Sequence, residues 1–225
     1  MGKLISPEKM QEILDWTYDK AVQGLPGMGT AIDLAEDYMA GSGTTEDKIN
    51  SLIRWQNTKA GSAGFLAGLG GVITLPVALP ANITSTIYVQ IRMVAAIAHM
   101  AGHDVKHDKV KTLIYLCLLG NSMNEVAKDF GITFGTKFAT SYIQKNVTRE
   151  VLNKINKAVG FRLVTKFGTK GLINLGKVVP VLGGVIGGGL DAFTTNIVGN
   201  QARNTFLQFE PTKYNVGTNN FIDVI

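Results

Sequence analysis

Cysteine is almost absent: one residue, Cys117, in a chain of 225. That excludes an internal disulfide. Its setting, "LIYLCLLG", marks a small buried apolar residue and suits a reducing compartment. Charge is also scarce, at 17% of residues, against about 25% in a typical soluble domain. The motifs that name a reaction are missing. There is no G-x-x-x-x-G-K phosphate loop and no H-E-x-x-H zinc motif. Neither Ser62 nor Cys117 has the partners of a nucleophile, and a thiol in an apolar run is inert. Gly187-x-Gly189-x-x-Ala192 has the letters of a dinucleotide fingerprint, but Pro180 interrupts the strand that should precede it and no βαβ alternation surrounds it. No alternating apolar run is long enough for a sheet. The opening "MGKLISPEKM" lacks the apolar centre of a signal peptide, so no secretory leader is expected. It matches a myristoylation pattern. Ser6-Pro7-Glu8 reads better as a helix start: a capping hydroxyl, proline at the first helical position, an acid in the first turn. The glycosylation patterns at Asn82 and Asn146 carry no weight without secretion.

What is present is helical periodicity, punctuated by glycine. Apolar residues recur at three- and four-residue spacing through residues 7–23, 30–40 and from Thr45, expected as a cap, to Ala60. Pro76 and Pro80 mark a kink, and residues 81–101 return as a long helix. "GHDVKHD" turns the chain, and helices over 108–119 and 121–130 follow, split near Gly120-Asn121. Residues 133–177 are expected as several short helices, broken by Gly160, Gly168, Gly171 and Gly176. A long element runs from about 180 to 208. The fold class is all-α: one multi-helix domain around two central Gly-rich helices. The expected organisation is an acidic helical extension over residues 1–44, a core over 45–210, and an irregular tail over 211–225, strapped down through Phe221 and Ile222.

The Gly-rich runs need a reason, because a helical glycine costs about 1 kcal/mol relative to alanine. Gly64 and Gly68 lie four apart, as do Gly183 and Gly187. Such spacing makes a smooth groove that lets another backbone approach, so these two helices are expected to cross through those glycines. Residues 60–91 carry no charge and exceed the roughly 20 residues that span a bilayer. Their polar residues and the two prolines favour a packed or interfacial role over a permanent span. "LGGVI" occurs twice, each time followed by two hydroxyl residues and a Gln-x-Arg. The echo predicts a pseudo-twofold. It also singles out a buried polar candidate site: Gln90, Arg92, Asp191, Gln201 and Arg203. Asp191 is expected to pair with one of the arginines, since a buried charge is tolerated only when paired.

Charge is unevenly placed. Residues 1–50 hold four lysines against nine acids, a net −5. Residues 137–177 hold nine cations against Glu150, a net +8. Lys145, Arg149, Lys154, Lys157, Arg162, Lys166 and Lys170 form the candidate surface for an anionic partner. Leu152, Ile155, Val159, Leu163 and Phe167 lie among them and are expected to insert shallowly. Only Phe161 and Phe167 could stack bases there, so no nucleic-acid partner is expected. The three histidines fall within ten residues. His99, His103 and His107, with Asp104, are weak metal candidates. Gly102 and a cap at Asp104 break their common face, so a helix terminus is the simpler reading, and no cofactor is expected.

Three segments together carry a resemblance: "LGGVITLPVALPANITSTIYVQIRMVAAIAHMAGHD", "LLGNSMNEV" and "VVPVLGGVIGGGLDAFTTNIVGNQARNTF". Over residues 45–210 the chain resembles the EcsC family of bacterial proteins. The family is named for a gene beside an ABC-transporter pair. The resemblance implies an intracellular, membrane-linked role and assigns no catalytic residue. The reading is a non-enzymatic helical protein of the cytoplasm, peripheral to the inner membrane, whose partner is anionic lipid or a membrane protein. The competing reading is an enzyme, such as a metal-dependent hydrolase, using the histidines or the buried Asp/Arg/Gln set.

Overall fold

The first helix starts where its sequence says it should. Ser6 caps it, accepting from the Lys9 amide at 3.2 Å, and Pro7 is its first residue. The computed structural model describes residues 6–60, 81–132, 147–167 and 186–208. Among these lie eight α-helices and no strand: α1 (Pro7–Gln23), α2 (Ala31–Met39), α3 (Thr45–Ala60), α4 (Ala81–Met100), α5 (Asp108–Cys117), α6 (Met123–Lys128), α7 (Arg149–Phe167) and α8 (Ile186–Gln208). A 3₁₀ turn at Gly120–Ser122 separates α5 from α6, at the split predicted there.

α4 is the hub. Ile87 to Ile91 and Met93 to Ala98 are buried on every side of it, as a helix that is apolar all round requires. α1, α2, α3, α5 and α8 pack around it. α1 turns Met10, Ile13, Leu14, Tyr18 and Ala21 inward, and these share one core with α4 and α5. Residues 7–39, expected within an extension, contribute to this core: the inner faces of α1 and α2 are apolar, and their acids other than the half-buried Asp15 lie on the outer face. α7 lies across α1 and α5 on the far side, and α8 runs beside α3 and α4.

Local chemistry moves some expected boundaries. Thr44, not Thr45, caps α3: it accepts from the Asp47 amide at 3.2 Å while Asp47 accepts from the Thr44 amide at 3.0 Å. That reciprocal pair needs an acid three residues on, which Thr44 has. His107, not Asp104, caps α5, its Nδ1 accepting from the Lys109 amide. Asp104 closes a turn instead, accepting from the Lys106 amide at 2.9 Å. Gly102, at φ +85°, ends α4. Its amide donates to His99 O and that of His103 to Ala98 O, the paired bonds of a Schellman motif.

Gly160 does not break a helix; α7 runs through it. A Cβ there would sit 3.3 Å from the Pro7 carbonyl oxygen, so the glycine admits the start of α1. Gly199 is tighter still. A Cβ there would lie 2.9 Å from two Ile53 carbons and 3.2 Å from Met93 Cε. Of the expected crossing, Gly64, Gly68 and Gly183 lie outside the described residues.

Candidate functional site: the basic helix and the cleft beneath it

α7 has two faces. Leu152, Ile155, Val159 and Leu163 are spaced by three and four, and all are buried. They hold the helix to the body and are not free to insert into a membrane, because the same periodicity that makes the helix amphipathic commits this stripe to the core. The Phe167 side chain lies outside the described residues. The opposite face carries Lys154 and Lys157, both exposed, and Phe161, which is 57% exposed. Arg162 turns sideways and pairs with Glu125 on α6. Lys145 and Lys170 and the side chain of Lys166 lie outside the described residues. Beyond Arg162 a cleft of about 340 Å³ is bordered by Ile197 and by Phe193, which is itself 54% exposed.

The acidic helix does not face away from this block. α1 packs along α7. The Glu8 carboxyl is held below its ordinary value mainly by backbone and Ser6 hydrogen bonds, with the Lys157 charge adding.

Where α1, α5 and α7 meet, they enclose a polar cleft of about 400 Å³. One wall is an ordered cluster. Asp15 accepts from the Tyr115 hydroxyl at 2.9 Å and pairs with Lys111 at 2.7 Å. The Lys111 ammonium lies 4.9 Å from the centre of the Tyr18 ring and 5.7 Å from that of Tyr115, two rings that meet edge to face. Burial alone would raise the Asp15 carboxyl. Hydrogen bonds from Lys111, Gln11 and Tyr115, with the Lys111 charge, outweigh it and hold the group below its usual range. Burial likewise raises both tyrosine hydroxyls.

Gln11, Thr112 and Asn156 also border the cleft. Their oxygens Oε1, Oγ1 and Oδ1 are buried without a hydrogen-bond partner, and Gln11 Oε1 lies at the close approach of α1 to Gly160. At the mouth stand Lys157 and Arg149; the latter is 85% exposed and only loosely paired with Asp108, at 3.7 Å. The sequence placed Arg149 and Lys157 on a membrane face but gave no sign that Gln11 and Thr112 border the same cleft.

The other candidates are dispersed. Gln90 is buried and donates to Thr194 and Thr195 on α8, at 3.4 and 3.3 Å. Arg92 donates to the Thr30 carbonyl. Its guanidinium is pulled below the usual range by burial, against the charges nearby. Arg203 donates to Asn50 at 2.6 Å, and Gln201 to Thr205 on its own helix. These bonds draw Gln90, Arg92 and Arg203 to different helices, not to one site. The echo's hydrogen bonding is one-sided as well: Gln90 reaches the second copy's hydroxyls, while Gln201 stays on its own helix. The Asp191 side chain lies outside the described residues. The histidines do three separate things. His103 is buried, donates from Nε2 to the Phe206 carbonyl at 3.1 Å and tilts against that ring. His107 caps α5, and His99 lies in the last turn of α4. No group of three or more His, Cys, Asp or Glu among the described residues could hold a metal ion. Cys117 is buried, and burial pushes its thiol up to about 12.

These features define an all-helical protein built on one buried helix, with a basic surface helix strapped over an acidic one. A model of the EcsC protein family matches residues 5–208, and the chain belongs to that family. The match begins at residue 5, so α1 and α2 lie within the family region and not ahead of it. No curated protein and no solved structure matches the chain.

Proposed function

We propose that this EcsC-family protein acts without catalysis at an anionic membrane surface, docking reversibly through the outer face of α7. The observation that carries the reading is the ridge of Lys154, Lys157 and Phe161. It puts two exposed ammonium groups beside an exposed aromatic ring on one helix face. A cation near an anionic surface gains about 1 kcal/mol, and an exposed ring adds apolar burial in the headgroup region. The docking proposed is peripheral; no described helix is long and apolar enough to cross a membrane.

Co-sedimentation with vesicles tests it. The protein should pellet with phosphatidylglycerol vesicles and not with phosphatidylcholine, and the bound fraction should fall as salt rises. Lys154→Glu with Phe161→Ser, neither of which lines the polar cleft, should weaken binding by about tenfold or more. Equal binding to neutral and anionic vesicles, or none to either, would sink the proposal.

A further inference from the structure

The seam where α3 meets α8 is held by amides and one guanidinium. Gly199 lets the two helices close on Ile53. To either side of that contact, Asn57 donates to Asn196 at 2.9 Å and Arg203 Nη1 donates to Asn50 at 2.6 Å. Nε and Nη2 of Arg203 both donate to the neighbouring Asn204 oxygen, at 3.3 and 3.2 Å. A guanidinium has five N–H groups and only donates. Three are committed, so two remain, one on each terminal nitrogen. The same bonds fix both amide oxygens on Arg203 and leave the Asn50 and Asn204 amide nitrogens as further donors. These groups reach the surface. Asn204 is exposed, Asn50 and Arg203 are half-buried, and none of their nitrogens is a buried atom without a partner. Arg54 is exposed one helical turn beyond Asn50, on the same edge of α3.

Among the described residues, no Asp or Glu forms an ion pair with Arg54 or Arg203. Glu46 lies one turn before Asn50 and pairs with neither, and Asp47 is taken by Thr44. A seam that only tied two helices together would be held better by aspartate at position 50 or 204, because a charge-assisted hydrogen bond is about twice as strong as a neutral one. The amides instead hold the guanidinium in place and leave its charge uncompensated. What fits is an anion with several accepting oxygens and no donor. We infer that Arg203, Asn50, Asn204 and Arg54 bind a phosphate monoester. At neutral pH such a group carries a charge of about −1.5 to −2 and three strong acceptor oxygens, against the single charge and two oxygens of a carboxylate. The ester can be a small soluble molecule or the headgroup of phosphatidic acid. None of these residues lies on α7, so the inference does not rest on docking through that helix.

The test titrates the full chain with phenyl phosphate and follows the side-chain Nε–H resonance of Arg203, assigned by its loss in Arg203→Ala. The resonance should shift saturably, and benzoate, a carboxylate of similar size, should bind about tenfold more weakly. Asn50→Asp puts a carboxylate where the amide stands. It should weaken phenyl phosphate about tenfold or more and melt no lower than the parent, because the new ion pair still ties α3 to α8. Arg54→Ala, at an exposed position, should also weaken binding, with the melting temperature unchanged. Vesicles then separate the two sources. If the ester is the lipid headgroup, the protein prefers phosphatidic acid to phosphatidylglycerol at matched surface charge, and Asn50→Asp removes the preference. If it is soluble, the two vesicles bind alike. The inference is overturned if phenyl phosphate gives no saturable shift, if benzoate binds as tightly, or if either variant binds like the parent. Lys154→Glu with Phe161→Ser should leave the phenyl phosphate titration unchanged, so failure of the α7 docking shows separately.

Discussion

Gly199 shows how much one missing methyl can decide. α8 can lie against Ile53 of α3 and Met93 of α4 only because nothing projects from residue 199. Gly199→Ala should raise local helix propensity and still destabilise the protein, by about 1–3 kcal/mol, because the added carbon overpacks a rigid contact. Thermal melts of a chain this size should register that as a fall of about 2–4 °C per kcal/mol; an unchanged or higher midpoint would contradict it. Asp15 makes a prediction in pH. Its folded pKa is lowered, so its contribution is fully present above its unfolded value of about 3.9 and is lost as pH falls through the folded value. Asp15→Asn should lower stability at neutral pH and flatten the acid limb of the curve of stability against pH, measured by urea unfolding at several pH values.

At the scale of the element, end chemistry sets where helices begin and packing sets which face they bury. Thr44→Ala removes the side-chain half of the capping box at α3 and should cost about 0.5–2 kcal/mol, whereas Thr45→Ala should cost less, because its hydroxyl caps nothing. Urea midpoints of the two variants compare the positions directly. α7 illustrates the other half. Its apolar stripe of Leu152, Ile155, Val159 and Leu163 was visible in sequence, and so were its cations. Periodicity shows that a helix has an apolar face but is silent on whether protein or lipid covers it. α1 and α5 cover this one, which leaves the lysine ridge and Phe161 as the outer surface.

For the whole molecule, the dipolar charge distribution resolves into contact and not separation. The acidic first helix and the basic seventh pack side by side, and their junction forms the polar cleft. Deleting residues 1–44 would therefore not unmask a basic surface on an intact core. It would strip Met10, Ile13, Leu14, Tyr18, Ala21, Leu34 and Ala35 from the core they share. The truncated chain should lose its cooperative thermal transition, and far-ultraviolet circular dichroism with a melt would show it. A truncated protein that melts cooperatively near the parent temperature would mean that α1 and α2 are dispensable after all.

The all-α class, most helix positions, the buried thiol, the Gly102 terminus and the family were legible in the sequence. Each depends on residues a few positions apart: three- and four-residue periodicity, a hydroxyl before a proline, a glycine that tolerates positive φ. The cleft, the Gly199 contact and the scattering of Gln90, Arg92 and Arg203 were not legible, because each depends on which helices become neighbours. Gln11 and Thr112 are about a hundred positions apart, and nothing local marks them as bordering one cleft. Gly160 read as a break because glycine weakens a helix in isolation. The tertiary structure made it a close approach, since packing against the carbonyl of Pro7 outweighs a propensity cost of about 1 kcal/mol.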